Sequence, residues 1–205
     1  MSMKTRASAV FVVALLLVGC DTTRPDDPVN VVTQLVTDVP ADPYLGLGAD
    51  GRPYGANTFT FFSFRTGEVV SRADSASTKW DVAFKGSTIL TNGGSSGPGA
   101  GGAQVLTAAF EDVTDVPVTG FAVDQPGNPA IGVGSGNSWY TYNGQTQTLT
   151  PTPGRVLVIR CADGTYAKVR MVSYYKGAPE VPTNPMDARY YTFEYSYISA
   201  GTSFR

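Results

Sequence analysis

The 205-residue sequence contains no histidine. Serine–histidine–aspartate and cysteine–histidine catalysis therefore lack their general base, and histidine-ligated zinc lacks its ligand. Charge is also scarce. Asp, Glu, Lys and Arg make up 16% of the residues and the formal net charge is −2, so the chain has neither the basic field that nucleic acid requires nor a polybasic patch for anionic lipid. Crossing a hydrocarbon core as a helix takes about 20 apolar residues, and the apolar stretch from Ala7 to Val18 falls short of that. No long segment shows helical apolar spacing either; the strong periodicity is the two-residue alternation of strands.

Lys4 and Arg6 followed by the Ala7–Val18 stretch give the charged-then-hydrophobic order of an export signal. Leu17, Val18, Gly19 and Cys20 then look like a lipobox, in which small residues admit the signal peptidase and the cysteine thiol carries a diacylglyceryl group. The expected organisation is a removed leader over 1–19, a lipidated N-terminus and tether over 20–30, and one β domain over 31–205. Asp21 to Pro28, with three aspartates and two prolines, is too polar for a core and suits a solvated tether. Its Arg24-Pro25-Asp26-Asp27 piece resembles the acidic signals that send some lipoproteins to the outer face of the outer membrane. Of the two cysteines, Cys20 is consumed by lipid. Cys161 is then unpaired within the chain, and its apolar setting predicts a buried, inert thiol.

The remaining chain reads as antiparallel β. Arg155 to Ala162 and Thr165 to Tyr175 form a predicted hairpin about Asp163-Gly164, a pair suited to a type I′ turn. That turn sets Val156 and Val158 opposite Met171 and Val169 on one apolar face, with Lys168 and Arg170 on the other. Tyr190 to Ile198 places Tyr191, Phe193, Tyr195 and Tyr197 on one side as an aromatic core row. Phe59 and Phe61 share one phase and Phe62 and Phe64 the other, which implies burial on both faces or a bulge. Trp80, Val82 and Phe84 alternate as another strand. Three long loops rich in glycine or proline separate these elements. Asn92 to Gly102 holds six glycines and reads as a flexible surface loop; the others are Asp124 to Asn137 and Gly177 to Asp187.

Taken in order, several stretches resemble the HmuY family of outer-membrane haem-binding lipoproteins from Bacteroidota. They are Phe62-Ser63-Phe64 with Gly67-Glu68-Val69-Val70, Trp80-Asp81-Val82-Ala83, Gly97 to Ala103, and Val116-Pro117 with Gly120-Phe121. Val156 to Arg160, Ala162-Asp163-Gly164, Ala167-Lys168-Val169 and Tyr191-Thr192-Phe193-Glu194-Tyr195 complete the set. The resemblance implies an all-β single domain of antiparallel sheets with long loops. For the characterised members it implies iron acquisition, by capture of haem between two loops and delivery to an outer-membrane transporter.

In those members one histidine from each loop holds the iron, and here neither exists. The first loop resembles a contracted form, Asp124 to Asn137, and the second position falls near Asn143-Gly144. Some relatives look as if they use methionine, whose thioether can ligate haem iron. Met186, in a loop between Pro185 and Asp187, is the candidate for that role, whereas Met171 reads as core. Tyr140, Tyr142 and Tyr54 can offer a phenolate or stack on a porphyrin, and Asn143 can contact the ligand. Glu111, Asp112 and Asp115 are clustered carboxylates, but beside Val116-Pro117 they read as a solvated turn, and the chain is expected to be no enzyme. Two functions stay open. One is a surface-anchored protein holding haem or a similar flat ligand for uptake. The other is an interaction or structural lipoprotein on the same scaffold, meeting a protein or glycan.

Overall fold

Alternating apolar residues become strands wherever they can pair, and the computed structural model describes residues 31–205 as a nearly all-β, antiparallel structure. The predicted leader, Cys20 and the tether lie outside the described residues. The strands are β1 (Val32–Pro40), β2 (Gly46–Leu47), β3 (Pro53–Tyr54), β4 (Thr60–Ser63), β5 (Glu68–Val70), β6 (Val82–Lys85) and β7 (Thr88–Thr91). They continue with β8 (Gly102–Thr107), β9 (Tyr140–Asn143), β10 (Thr148–Pro151), β11 (Arg155–Arg160), β12 (Tyr166–Tyr175) and β13 (Ala188–Ile198). One sheet has the order β1-β13-β12-β11-β8 and a second β5-β4-β6-β7; β2-β3 and β9-β10 are separate two-stranded ribbons. Both sheets and both apolar cores described below lie within residues 31–205.

The two sheets face each other across aromatic side chains. Phe62 of β4 meets Phe193 of β13 with ring centroids 5.2 Å apart, and Phe84 of β6 meets Tyr191 at 4.7 Å. Tyr191, Phe193 and Tyr195 are fully buried, as the alternation of β13 predicts, while Tyr197 is half-buried. Each such ring stabilises by about 1.5–3 kcal/mol through burial alone, which makes this interface the main source of cohesion. The ambiguous Phe59–Phe64 stretch resolves by phase: Phe62 and Phe64 enter this core, and Phe61 packs at the edge of Trp80, 4.9 Å between centroids.

The β11–β12 hairpin departs from its predicted register. Cys161 N donates to Thr165 O (2.8 Å) and Gly164 N to Cys161 O (3.1 Å), so three residues, Ala162-Asp163-Gly164, form the loop. Gly164 alone takes a left-handed φ (85°), and Asp163 is not among the positive-φ residues, which excludes a type I′ turn and fits a three-residue loop with glycine in the left-handed position. The register moves by one, pairing Leu157 with Val169 and Val158 with Lys168. A one-residue slip exchanges faces. Leu157 and Ile159 thus join Val169 and Ala167 in the main core, and Val156 and Val158 point the other way.

That second face is not left to solvent. Phe110, Val113, Val116 and Phe204 cover Val156 and Val158 as a smaller core, which is why β11 reads as an unbroken apolar run. Lys168, expected on a polar face, is buried there. Its stem lies under Phe110, the ammonium 4.4 Å from the ring centroid, and Nζ donates to the carbonyls of Phe110 and Val113, both at 2.9 Å.

The Asn92–Gly102 segment is a packed structure rather than a flexible surface loop. Buried Asn92 donates through Nδ2 to Ser77 O (2.9 Å) and Trp80 O (2.8 Å) and accepts from Gly99 N (3.0 Å) at Oδ1. Glycine is required by close approach: a Cβ on Gly93 would sit 2.2 Å from Gly101 O. Glu111 and Asp112 are exposed, as expected of a solvated turn.

Candidate functional site

The strands converge on two ends. At one, the chain enters β1, where Val32 pairs with Tyr197; at the other, Pro40 pairs with Tyr190. This second end gathers the residues that follow β1, the β6–β7 turn, the β9–β10 ribbon and the segment joining β12 to β13. Between them lies an open cleft of about 290 Å³ walled by Tyr44, Tyr142, Leu149, Tyr174, Tyr175 and Arg189. A neighbouring hollow of about 210 Å³ shares Gln147, Tyr175 and Pro185 with it. Small-molecule sites typically occupy ~300–1,000 Å³ and combine apolar walls with a few polar groups, and the adjoining pair reaches that range.

Local chemistry explains the walls. Asp124 is fully buried and its carboxylate accepts from Thr91 N (2.9 Å), Thr91 Oγ1 (3.2 Å) and Ala130 N (2.7 Å). The Asp124–Asn137 segment is thereby folded back onto the scaffold, with Ile131 in the core. It delivers Trp139, whose ring packs 5.9 Å from Tyr174 and 5.1 Å from Tyr191. The β9–β10 ribbon is held to the large sheet where Leu149 N donates to the Tyr175 hydroxyl (3.0 Å). On the opposite side, Asn184 caps a short 3-10 turn, Pro185–Asp187, by accepting from Met186 N (3.0 Å).

The residues singled out from sequence are distributed unequally about this cleft. Tyr142 lines it and is 49% exposed. Tyr140 is buried against Trp139, and its hydroxyl accepts from Gly134 N (3.1 Å). Asn143 spends its carbonyl oxygen on Gln145 N and Thr146 N, closing its own turn. Met186 is half-buried and directly follows Pro185 of the far wall, but it does not itself line the cleft. Met171 is buried in the main core, and Tyr54 is exposed on the β2–β3 ribbon outside the cleft. Among the described residues no cluster of three or more Cys, Asp or Glu side chains is arranged to hold a metal ion. Cys161 is buried and free, and burial pushes its thiol well above the ordinary value.

Four wall residues were not apparent from sequence: Tyr44, Tyr174, Tyr175 and Arg189. Arg189 holds a left-handed backbone (φ 70°), as does its partner Asp42 (φ 61°). Its Nη1 donates to both Asp42 O and Asp42 Oδ2 at 3.0 Å, and its guanidinium lies over the Tyr44 ring, 4.1 Å from the centroid. Burial raises the Tyr174 hydroxyl far above the ordinary tyrosine value, against the opposing pull of Arg189. The wall is therefore a set of tyrosine rings with one cation. The arrangement can hold a flat, largely apolar molecule and offers no paired acid and base for chemistry on it.

Compared with known proteins, residues 56–195 match the family model described as HmuY protein. No curated protein matches the chain. Among solved structures, the apo HmuY analog of Tannerella forsythia is 16% identical, with 85% of this chain and 100% of that one covered and a TM-score of 0.50. A candidate lipoprotein of Bacteroides fragilis is 17% identical, with 86% and 94% covered and a TM-score of 0.50. At such identities the likeness is one of fold.

Proposed function

The chain belongs to the HmuY family, and from that membership we propose that it is a non-catalytic binding protein that captures haem, or a similar flat ligand, in the cleft between the β9–β10 ribbon and the 176–187 segment. Its lipidated Cys20 fixes it to the outer membrane, facing outward, and the bound molecule is handed to an outer-membrane transporter. The observation that carries this reading is the tyrosine-walled cleft at the end of the sheet remote from the tether.

Without histidine, the iron of a haem cargo is met by softer or weaker donors. Tyr142 offers a phenolate from the ribbon, and Met186, beside the opposite wall rather than in it, a thioether. Tyr140 and Asn143 act behind Tyr142, fixing the ribbon through the bonds described above. Capture requires only that apolar surface leave water, at about 25 cal/mol per Å².

The test is a titration of protein lacking residues 1–20 with ferric and ferrous haem, followed at the Soret band. Saturable one-to-one binding is expected, weakened at least tenfold in ferrous haem by Met186→Ala and in ferric haem by Tyr142→Phe. Fluorescence of Trp139 should be quenched in parallel. A flat titration in both oxidation states refutes the haem reading.

A second reading, an interaction lipoprotein, has its own observation. Leu47 and Tyr54 of the β2–β3 ribbon, with Leu45 just before it, are 62%, 51% and 65% exposed, and an apolar group of this kind suits a protein partner. A protein that ignores haem yet loses a partner on Leu47→Asp would establish it.

A further inference from the structure

Arg189 and Gln147 are the non-glycine cleft-wall residues with a left-handed backbone, and Arg189 also carries a buried nitrogen without a partner. A non-glycine residue at positive φ is unusual, and arginine has none of the local side-chain bonding that lets Asp or Asn tolerate it. The conformation is nevertheless fixed from several sides: Ala41 N donates to Arg189 O (2.8 Å), and Asp42 receives Nη1 twice. Strained backbone held in this way gathers at ligand clamps. The strain lays the guanidinium across Tyr44 at the cleft wall. Its Nε is buried and has no hydrogen-bond partner, whereas buried donors are almost always paired. The Nη1 side is occupied by Asp42, so Nε is the donor left without a partner, and a ligand engages it by displacing the side chains that cover it.

We propose that the cleft selects anionic ligands: Arg189 presents its Nε edge to a carboxylate borne on a flat apolar body that lies among Tyr44, Tyr142 and Tyr174. An arginine edge accepts a carboxylate through two parallel hydrogen bonds, a geometry that lysine cannot reproduce. Asp42 neutralises part of the charge and holds the side chain in place, so selectivity arises from directed donors rather than from a diffuse positive field. The inference rests on the cleft being the binding site, and it makes Arg189 a specificity-determining residue for that site.

The test uses an iron-free porphyrin, so that no metal ligation contributes. Protein lacking residues 1–20 is titrated with protoporphyrin IX and with its dimethyl ester, which keeps the ring and removes the anions, and quenching of tryptophan fluorescence is read. The diacid should bind at least tenfold more tightly than the ester. Arg189→Gln should reduce that preference to twofold or less. Arg189→Lys retains a cation for Asp42 and decides the matter should the glutamine variant not fold; it too should lose most of the preference. Equal binding of diacid and ester by the wild type overturns the role of Arg189 while leaving the cleft reading intact. Full preference in the Arg189 variants also overturns it. Absence of binding by either porphyrin overturns both.

Discussion

Replacing Asp81 tests how the two sheets are joined. Asp81 is 5% exposed and precedes β6, between the sheets. Its Oδ2 accepts from Phe64 N (2.8 Å), beyond β4 of the small sheet, and its Oδ1 from Ala162 N (3.0 Å), beyond β11 of the large one. Both donors are buried backbone groups that no other side chain serves. Asp81→Ala leaves two orphaned N–H groups at about 1–3 kcal/mol each, so a loss of roughly 4 kcal/mol is expected. At about 2–4 °C per kcal/mol for a domain of this size, the melting temperature should fall by roughly 8–16 °C. Asparagine has one oxygen and one amide nitrogen, so Asp81→Asn satisfies one donor and opposes the other, and about half the loss is expected. Burial holds the Asp81 carboxyl above its ordinary value, so as the pH rises the unfolded chain releases this proton first. The contribution of the ionisable group is therefore full below an unfolded pKa of about 3.9 and declines as the pH climbs through the folded value. The margin of wild type over Asp81→Asn should narrow from pH 3 to pH 7. Calorimetric melting of the three proteins at both pH values is the assay. An alanine variant melting within 2 °C of wild type would refute the account, as would a margin that widens with pH.

Other consequences are simpler to check. Gly93→Ala drives a methyl to 2.2 Å from Gly101 O and should cost at least the ~1–3 kcal/mol of an overpacked core. Gly86→Ala, with open space around it but φ 54°, should cost only the ~1–2 kcal/mol of a left-handed L-residue; urea unfolding separates the two. Lys168→Met keeps the buried stem but removes the donor to the Phe110 and Val113 carbonyls, and should lower stability by about 1–3 kcal/mol. Cys161, with its thiol raised well above the ordinary value by burial, should react with a thiol-specific reagent at least a hundredfold more slowly in folded protein than in urea.

The sequence made the strands legible because alternation is a local signal, and β6, β12 and β13 fall where it predicts. Register was less legible. Asp163-Gly164 is compatible with loops of two or three residues, and the choice moves Val156 and Val158 from one core to the other. The second core was hidden for a related reason. Lysine is read as a surface residue, yet its stem can be buried if the ammonium finds carbonyls, as Lys168 does. The glycines of the 92–102 segment suggested freedom of the chain, whereas their use is close approach to Asn92 and Gly101. The cleft was the hardest to foresee. Tyr142 and the neighbourhood of Met186 were reached through family resemblance. Arg189 was not, because nothing local marks a residue whose conformation is imposed by Ala41 and Asp42 nearly 150 positions away.

The placement of β1 also has a mechanical side. The described chain begins at Val31, and β1 runs its nine residues, about 30 Å at the usual rise per residue, to finish beside the cleft. It is an edge strand, paired with β13 alone. A pull transmitted from an anchor ahead of Val31, resisted by a partner gripping the 176–187 segment, would draw β1 and β13 past one another along their length. The ladder bonds lie across that direction and share the load instead of parting one at a time. The strand that would carry the proposed tether is thus arranged to resist traction along its length, and the bulge between Val36 and Val39 is where that resistance should first give way.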